Sequence, residues 1–184
     1  MARIEYPTEN ALKGKAKEAW NKHIADKNLT NMKQALLQDE ATYEAFMGWY
    51  KSWSRLLELV GKKAAMIYAH SISTTNGCLL CSLFFISDLK AAGVNPAELV
   101  LDEKEELLSE LGRQIVKNPT NVPDSLFQRL KKHFSDSEIV TVVGFACQMI
   151  ATNNFNSVLQ IDVDQRLLSV QGDFKPPTWR ANIE

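Results

Sequence analysis

A chain of 184 residues, 45% of them apolar and 23% charged, is long enough to bury a core and is ordinary in make-up for a globular protein. Lys and Arg number 21 against 22 Asp and Glu, so a formal net charge of -1 offers no electrostatic case for nucleic acid or an anionic membrane. Three cysteines are too few for a disulfide scaffold.

The N-terminus, Met1 to Pro7, is polar and lacks the apolar core of a signal peptide. The longest apolar run, Ile139 to Ala151, falls short of the roughly 20 residues a membrane-spanning helix needs. The expected location is the cytoplasm. A first helix is predicted over Thr8 to Asp26, with Leu12, Ala16, Ala19 and Trp20 on one face. Shorter helices follow near Asn31–Leu37 and Glu40–Phe46, then one from Trp49 to Leu59. Gly61 reads as a stop and restart. Lys62 to Ser73 forms the next helix, Thr74-Thr75-Asn76-Gly77 a break, and Cys78 to Ala92 another, ended by Gly93. Asp102 to Val116 is acidic in its first turn, as the helix dipole favours. Asn118-Pro119 stops it, Pro123 opens Asp124–Phe134, and Ser135-Asp136-Ser137-Glu138 starts a last helix running to about Asn153. Its β-branched residues would suit a strand, but its length and lack of turn residues favour a buried helix. The expected fold is all-α: one helical domain over residues 1–171 (N-terminal helices 8–59, a core over 62–168) and an extended tail over 172–184. In that tail Phe174 and Trp179 could dock on the bundle or on a second subunit, although most termini simply fray.

The chemistry concentrates at Asn76-Gly77-Cys78-Leu79-Leu80-Cys81. Two cysteines three apart, at the start of a helix, can close and open a disulfide without much backbone movement. In a reducing compartment such a pair is catalytic or metal-binding more often than structural. With Asn76 as N-cap, the helix dipole would lower the Cys78 thiol pKa. The thiolate is the species that attacks peroxides and disulfides. The bland alternative is two small core residues in an apolar helix. A zinc site from His70, Cys78 and Cys81 with His133 or Cys147 lacks the second closely spaced ligand pair, so neither metal nor cofactor is expected. If the flanking helices form a hairpin, His70 lies opposite Cys81 and Met66 opposite Phe85. His70 could then serve as general base or thiolate partner, or be a buried histidine satisfied by a carbonyl. His23 and His133 have charged neighbours and read as surface residues. Cys147, between Phe145 and Met149, reads as core.

A helix, a small-polar break and Gly-Cys-x-x-Cys opening an apolar helix resembles the carboxymuconolactone decarboxylase superfamily, in its alkylhydroperoxidase AhpD-like branch. The segment Ala151 to Leu159 resembles that superfamily's closing helix, with an Asn-rich turn, and the resemblance spans about Asn31 to Leu168. It implies an all-helical oligomer and a redox cycle in which the CxxC reduces a peroxide or disulfide substrate and is itself re-reduced by an unidentified dithiol partner. It also implies that Cys81 attacks and Cys78 resolves. The positions of the superfamily's Glu–His–His proton relay are Met66, Leu80 and Phe85 here, which leaves His70 as the replacement. The expected function is thus a thiol–disulfide oxidoreductase or alkylhydroperoxidase-like antioxidant enzyme. The alternative is a non-enzymatic oligomeric AhpD-like protein with a structural or ligand-binding role.

Overall fold

The helix limits follow from where backbone donors and acceptors find partners. The computed structural model describes residues 2–95 and 99–173, so the predicted tail lies almost wholly outside the described residues. All the regular structure there is helical: α1 (Gly14–Ala25), α2 (Asn31–Leu36), α3 (Glu40–Gly48), α4 (Tyr50–Val60), α5 (Lys62–Thr75), α6 (Leu79–Ala91), α7 (Glu103–Lys117), α8 (Asp124–His133) and α9 (Asp136–Val158). Short 3-10 turns occupy Glu9–Ala11, Pro119–Asn121 and Gln165–Asp173. The expected first helix is divided: after the turn at Glu9–Ala11, Leu12 and Lys13 are extended and α1 begins at Gly14, whose φ is +54°.

α7 and α9 both open on capping boxes, Asp102 with Glu105 and Ser135 with Glu138. In each, two otherwise orphaned N–H groups are satisfied reciprocally. That anchorage, together with an inner face of Ile139, Val142, Phe145, Ala146 and Met149, holds the β-branched run of α9 helical. The helix continues past Asn153 to Val158, so the asparagines expected in a turn lie in its last turns.

α5 is the axis of the molecule: every residue from Ala64 to Thr74 is buried. Its hydroxyls survive burial by bonding back to their own helix, as Ser73 Oγ does to the Ala69 carbonyl at 2.8 Å and Thr74 Oγ1 to that of His70 at 2.8 Å. α7 packs most extensively on α5, and α6 folds back along it. At the closest approach of α7 stands Gly112, where a Cβ would come within 2.7 Å of Ser71 Oγ. α9 crosses the bundle, joined to α5 where the buried Tyr68 hydroxyl donates to the Val142 carbonyl at 3.2 Å. The turn at Gln165–Asp173 covers α6. No single helix among the described residues is long and apolar enough to cross a membrane.

Candidate active site

Three residues, Asn76, Gly77 and Cys78, join α5 to α6, and Cys81 follows in the first turn of α6. The Cys78 N–H donates to the Ser73 carbonyl at 3.0 Å and the Gly77 N–H to that of Thr74 at 3.1 Å, with Gly77 left-handed at φ +72°. These are the paired bonds of a Schellman closure, which glycine enters without the penalty a Cβ would bring. Asn76 is therefore the C-cap of α5 rather than the N-cap of α6, and its amide donates to Asn154 Oδ1 at 3.0 Å. The N-cap of α6 is Cys78 itself: its Sγ accepts the Cys81 N–H at 3.3 Å.

Both thiols are free and buried, and their surroundings drive them apart. The Cys81 thiol, donating to Cys78 Sγ, lowers the Cys78 pKa, and the backbone N–H groups of the first turn add to this. Burial pushes Cys81 well above the ordinary thiol value, with the adjacent Cys78 adding to the rise. Asn156 opposes that rise, its Nδ2 donating to Cys81 Sγ at 3.2 Å. The first proton the pair loses thus leaves its anion on Cys78.

Met66 belongs to a small apolar cluster with Ile67 and Leu89, and Phe85 packs against it, so the two relay positions meet as an apolar contact. His70 is buried in α5, and burial lowers its imidazole pKa to about 3. At neutral pH it is uncharged, which removes the cationic thiolate partner considered from the sequence. His133 is exposed and 3.5 Å from Glu103, as its charged neighbours suggested.

Two other expectations are overturned. Cys147 is exposed, because it faces away from the side of α9 that carries Phe145 and Met149. His23 is buried between Asn28 Oδ1 (2.6 Å from Nδ1) and the Tyr43 hydroxyl (2.7 Å from Nε2). Beside it lies a buried lysine, Lys33, whose Nζ donates to the Asn28 carbonyl at 3.0 Å and to Asn28 Oδ1 at 3.1 Å. Desolvation lowers the pKa of both His23 and Lys33.

Asn28 and Lys33 of this group share with Cys81 the wall of one cleft of about 670 Å³. Phe46, Tyr50, Trp53, Phe84, Phe85 and Phe145 make its walls largely apolar, and its polar groups include Lys27, Lys33, Asp88, Asn156, Asp164 and Arg166. Cys78 and His70 do not line it. Among the described residues, no group of three His, Cys, Asp or Glu side chains is placed to hold a metal ion.

The helical arrangement is one found in solved structures. An uncharacterized peroxidase-related protein from a Silicibacter species superimposes with a TM-score of 0.74 at 13% identity, over 90% of this chain and 93% of that one. A second structure, described as an alkylhydroperoxidase AhpD core and an uncharacterized peroxidase-related protein from Ralstonia eutropha, matches with a TM-score of 0.68 at 14% identity, over 90% of this chain and 94% of that one. The fold is AhpD-like. No protein-family model and no curated protein matches the sequence. At such identities the AhpD-like likeness is one of architecture.

Of the sequence-predicted residues, Cys78 and Cys81 come together as expected. Asn156 was missed. Its signal was the spacing of Asn153 and Asn156, which continues the inward face of Val142, Phe145 and Met149.

Proposed function

We propose that this chain is a thiol–disulfide oxidoreductase of the AhpD-like branch of the carboxymuconolactone decarboxylase superfamily. Cys81 is its reacting thiol and Cys78 its resolving thiol. One observation carries the reading: Cys81 lines an apolar cleft, while the cysteine favoured to hold the anion sits one turn behind it at the helix N-cap. Passage of the Cys81 proton to Cys78 puts a thiolate at the cleft without a Glu–His relay. That thiolate attacks the terminal oxygen of a peroxide; the O–O bond breaks, the alkoxide leaves as the alcohol with the proton Cys78 had taken, and Cys81 becomes a sulfenic acid beside the Cys78 thiolate. Cys78 then attacks the Cys81 sulfur; the S–O bond breaks, water leaves, and a disulfide remains. A disulfide substrate would follow the same course with a thiol as leaving group. A dithiol partner supplies the two electrons that restore the pair. His70, kept neutral by burial, neither holds the thiolate by charge nor takes up its proton at neutral pH.

The raised Cys81 thiol and the apolar relay positions favour a second reading, a non-enzymatic AhpD-like protein with a structural or ligand-binding role. The proposal places the protein in the cytoplasm as a homo-oligomer. Support for assembly comes from α9, whose exposed Val140 and Val158 lie on a helix with no charged residue between Glu138 and Asp162. Peroxide titration with counting of free thiols and mass mapping decides between the readings. Loss of two thiols as a Cys78–Cys81 bond, with sulfenic acid trapped at Cys81 in Cys78→Ser, supports the enzyme. Intact thiols under excess peroxide and disulfide refute it.

A further inference from the structure

The cleft is better defined as a binding site than a reacting cysteine alone requires. Asp164 lines it, is 8% exposed, and uses Oδ1 to accept the Asn31 N–H at 2.8 Å. Its Oδ2 has no hydrogen-bond partner among the described residues. Asn156, 4% exposed and on the same wall, spends its Nδ2 on Cys81 and leaves Oδ1 in the same state. Buried polar atoms without partners are rare, and each one asks what satisfies it. Both of these are acceptors, so what the cleft lacks is a donor.

The other polar groups narrow the choice. Two donor bonds of the Lys33 ammonium are taken by Asn28. The Arg166 guanidinium lies over Phe84, its carbon 4.3 Å from the ring centroid. With Lys27, Lys33 and Arg166 set against Asp88 and Asp164, the lining does not draw in a cation, while the two bare acceptors repel a carboxylate placed beside them. The volume falls within the range of small-molecule sites.

We propose that the cleft beside Cys81 binds an uncharged molecule with an aromatic or bulky apolar body and a hydroxyl or amide N–H that donates to Asp164. The molecule is the carrier of the oxidising group, so this rests on the reading of Cys81 as the reacting thiol, although binding itself needs no thiol chemistry.

Four naphthalene probes of one shape test it: naphthylmethanol, methyl naphthyl ketone, naphthoate and methylnaphthalene. Their affinities are followed through the methionine methyl resonances of the full chain. Met32 and Met149 line the cleft and should shift; Met66 does not line it and should hold still. The alcohol should bind about ten- to a hundredfold tighter than methylnaphthalene, the worth of a hydrogen bond to a charged acceptor, and naphthoate should be weakest. Asp164→Asn keeps one oxygen for Asn31 and puts an N–H₂ donor in place of Oδ2, so the preference should move from the alcohol to the ketone. If that variant fails to fold, the wild-type ranking still decides. Equal affinities, naphthoate the tightest, shifts at Met66 instead, or an unchanged preference in Asp164→Asn each overturn the inference. Equal binding alongside a Cys78–Cys81 bond would overturn only this inference. The expected ranking without any such bond would overturn the redox reading and leave the binding site standing.

Discussion

Gly112 and Gly144 both lie inside helices, yet alanine should act on them with opposite sign. A Cβ on Gly112 would stand 2.7 Å from Ser71 Oγ, 2.9 Å from Ile72 Cγ1 and 3.1 Å from Tyr68 Cε2. Ordinary contacts between such atoms begin near 3.5 Å, so α7 must lift from α5 by roughly half an ångström or more. No neighbour yields easily: Ser71 is tied to the Tyr68 carbonyl and the Tyr68 hydroxyl to that of Val142. Overpacking of this kind costs about 1–3 kcal/mol, and alanine returns up to about 1 kcal/mol in helix propensity. With three close neighbours the cost belongs in the upper part of that range, about 2–3 kcal/mol, so the net loss is about 1–2 kcal/mol, a fall in Tm of roughly 2–8 °C for a chain of this size. Gly144 on α9 has nothing within 4 Å of its would-be Cβ, so Gly144→Ala should gain about 1 kcal/mol and raise Tm by roughly 2–4 °C. Chemical denaturation and thermal melts of both variants measure this. A neutral or stabilising Gly112→Ala would show that the α5–α7 contact is looser than described and refute the argument.

Three further outcomes are expected. Asn156→Ala removes the hydrogen bond that opposes the rise of the Cys81 thiol, so its alkylation profile should move to higher pH; profiles that overlay the wild type would deny Asn156 that role. Cys147, exposed and free, should take maleimide first in the native protein, with Cys78 and Cys81 following more slowly, and peptide mapping with time gives the order. Burial depresses the His70 pKa to about 3, so the unfolded chain binds a proton that the folded one refuses between that value and 6.5. The resulting stability is complete above pH 6.5 and is lost as pH falls; between pH 8 and 4.5 wild type should lose about 2–3 kcal/mol more than His70→Gln, and parallel curves would contradict this.

Most of the helix plan was legible because its signals are local. Capping residues at Asp102 and Ser135, glycines at 61 and 93 and prolines at 119 and 123 all mark ends within a residue or two of the observed ones. The candidate site was legible only in its covalent part. Cys78 and Cys81 announce themselves by spacing, whereas Asn156, Lys33 and Asp164 reach the cleft from α9, α2 and the turn after α9, which only packing brings together. Two misreadings share one cause, the use of sequence neighbours where helical phase decides. Cys147 is flanked by apolar residues but off the face that repeats at Val142, Phe145, Met149 and Asn153. His23 is flanked by charges, but it continues the spacing of Ala16, Ala19 and Trp20.

Because Gly77 closes α5 and Cys78 already caps α6, the connection between the two helices has no slack. One residue inserted there would break the paired bonds to Ser73 and Thr74 or move the cap off Cys78. If α6 kept its packing, the new cap would be a different side chain. If it kept its cap, every residue of α6 would rotate by about 100° and carry Cys81 away from the cleft. Gly93 closes α6 with the same paired bonds, to Lys90 and Leu89, but the next helix, α7, starts only at Glu103, so a residue added after Val94 leaves both closure and packing in place. A single-residue insertion at 76–78 should therefore be far less tolerated than one at 94–95, a difference set by register rather than by the chemistry of sulfur.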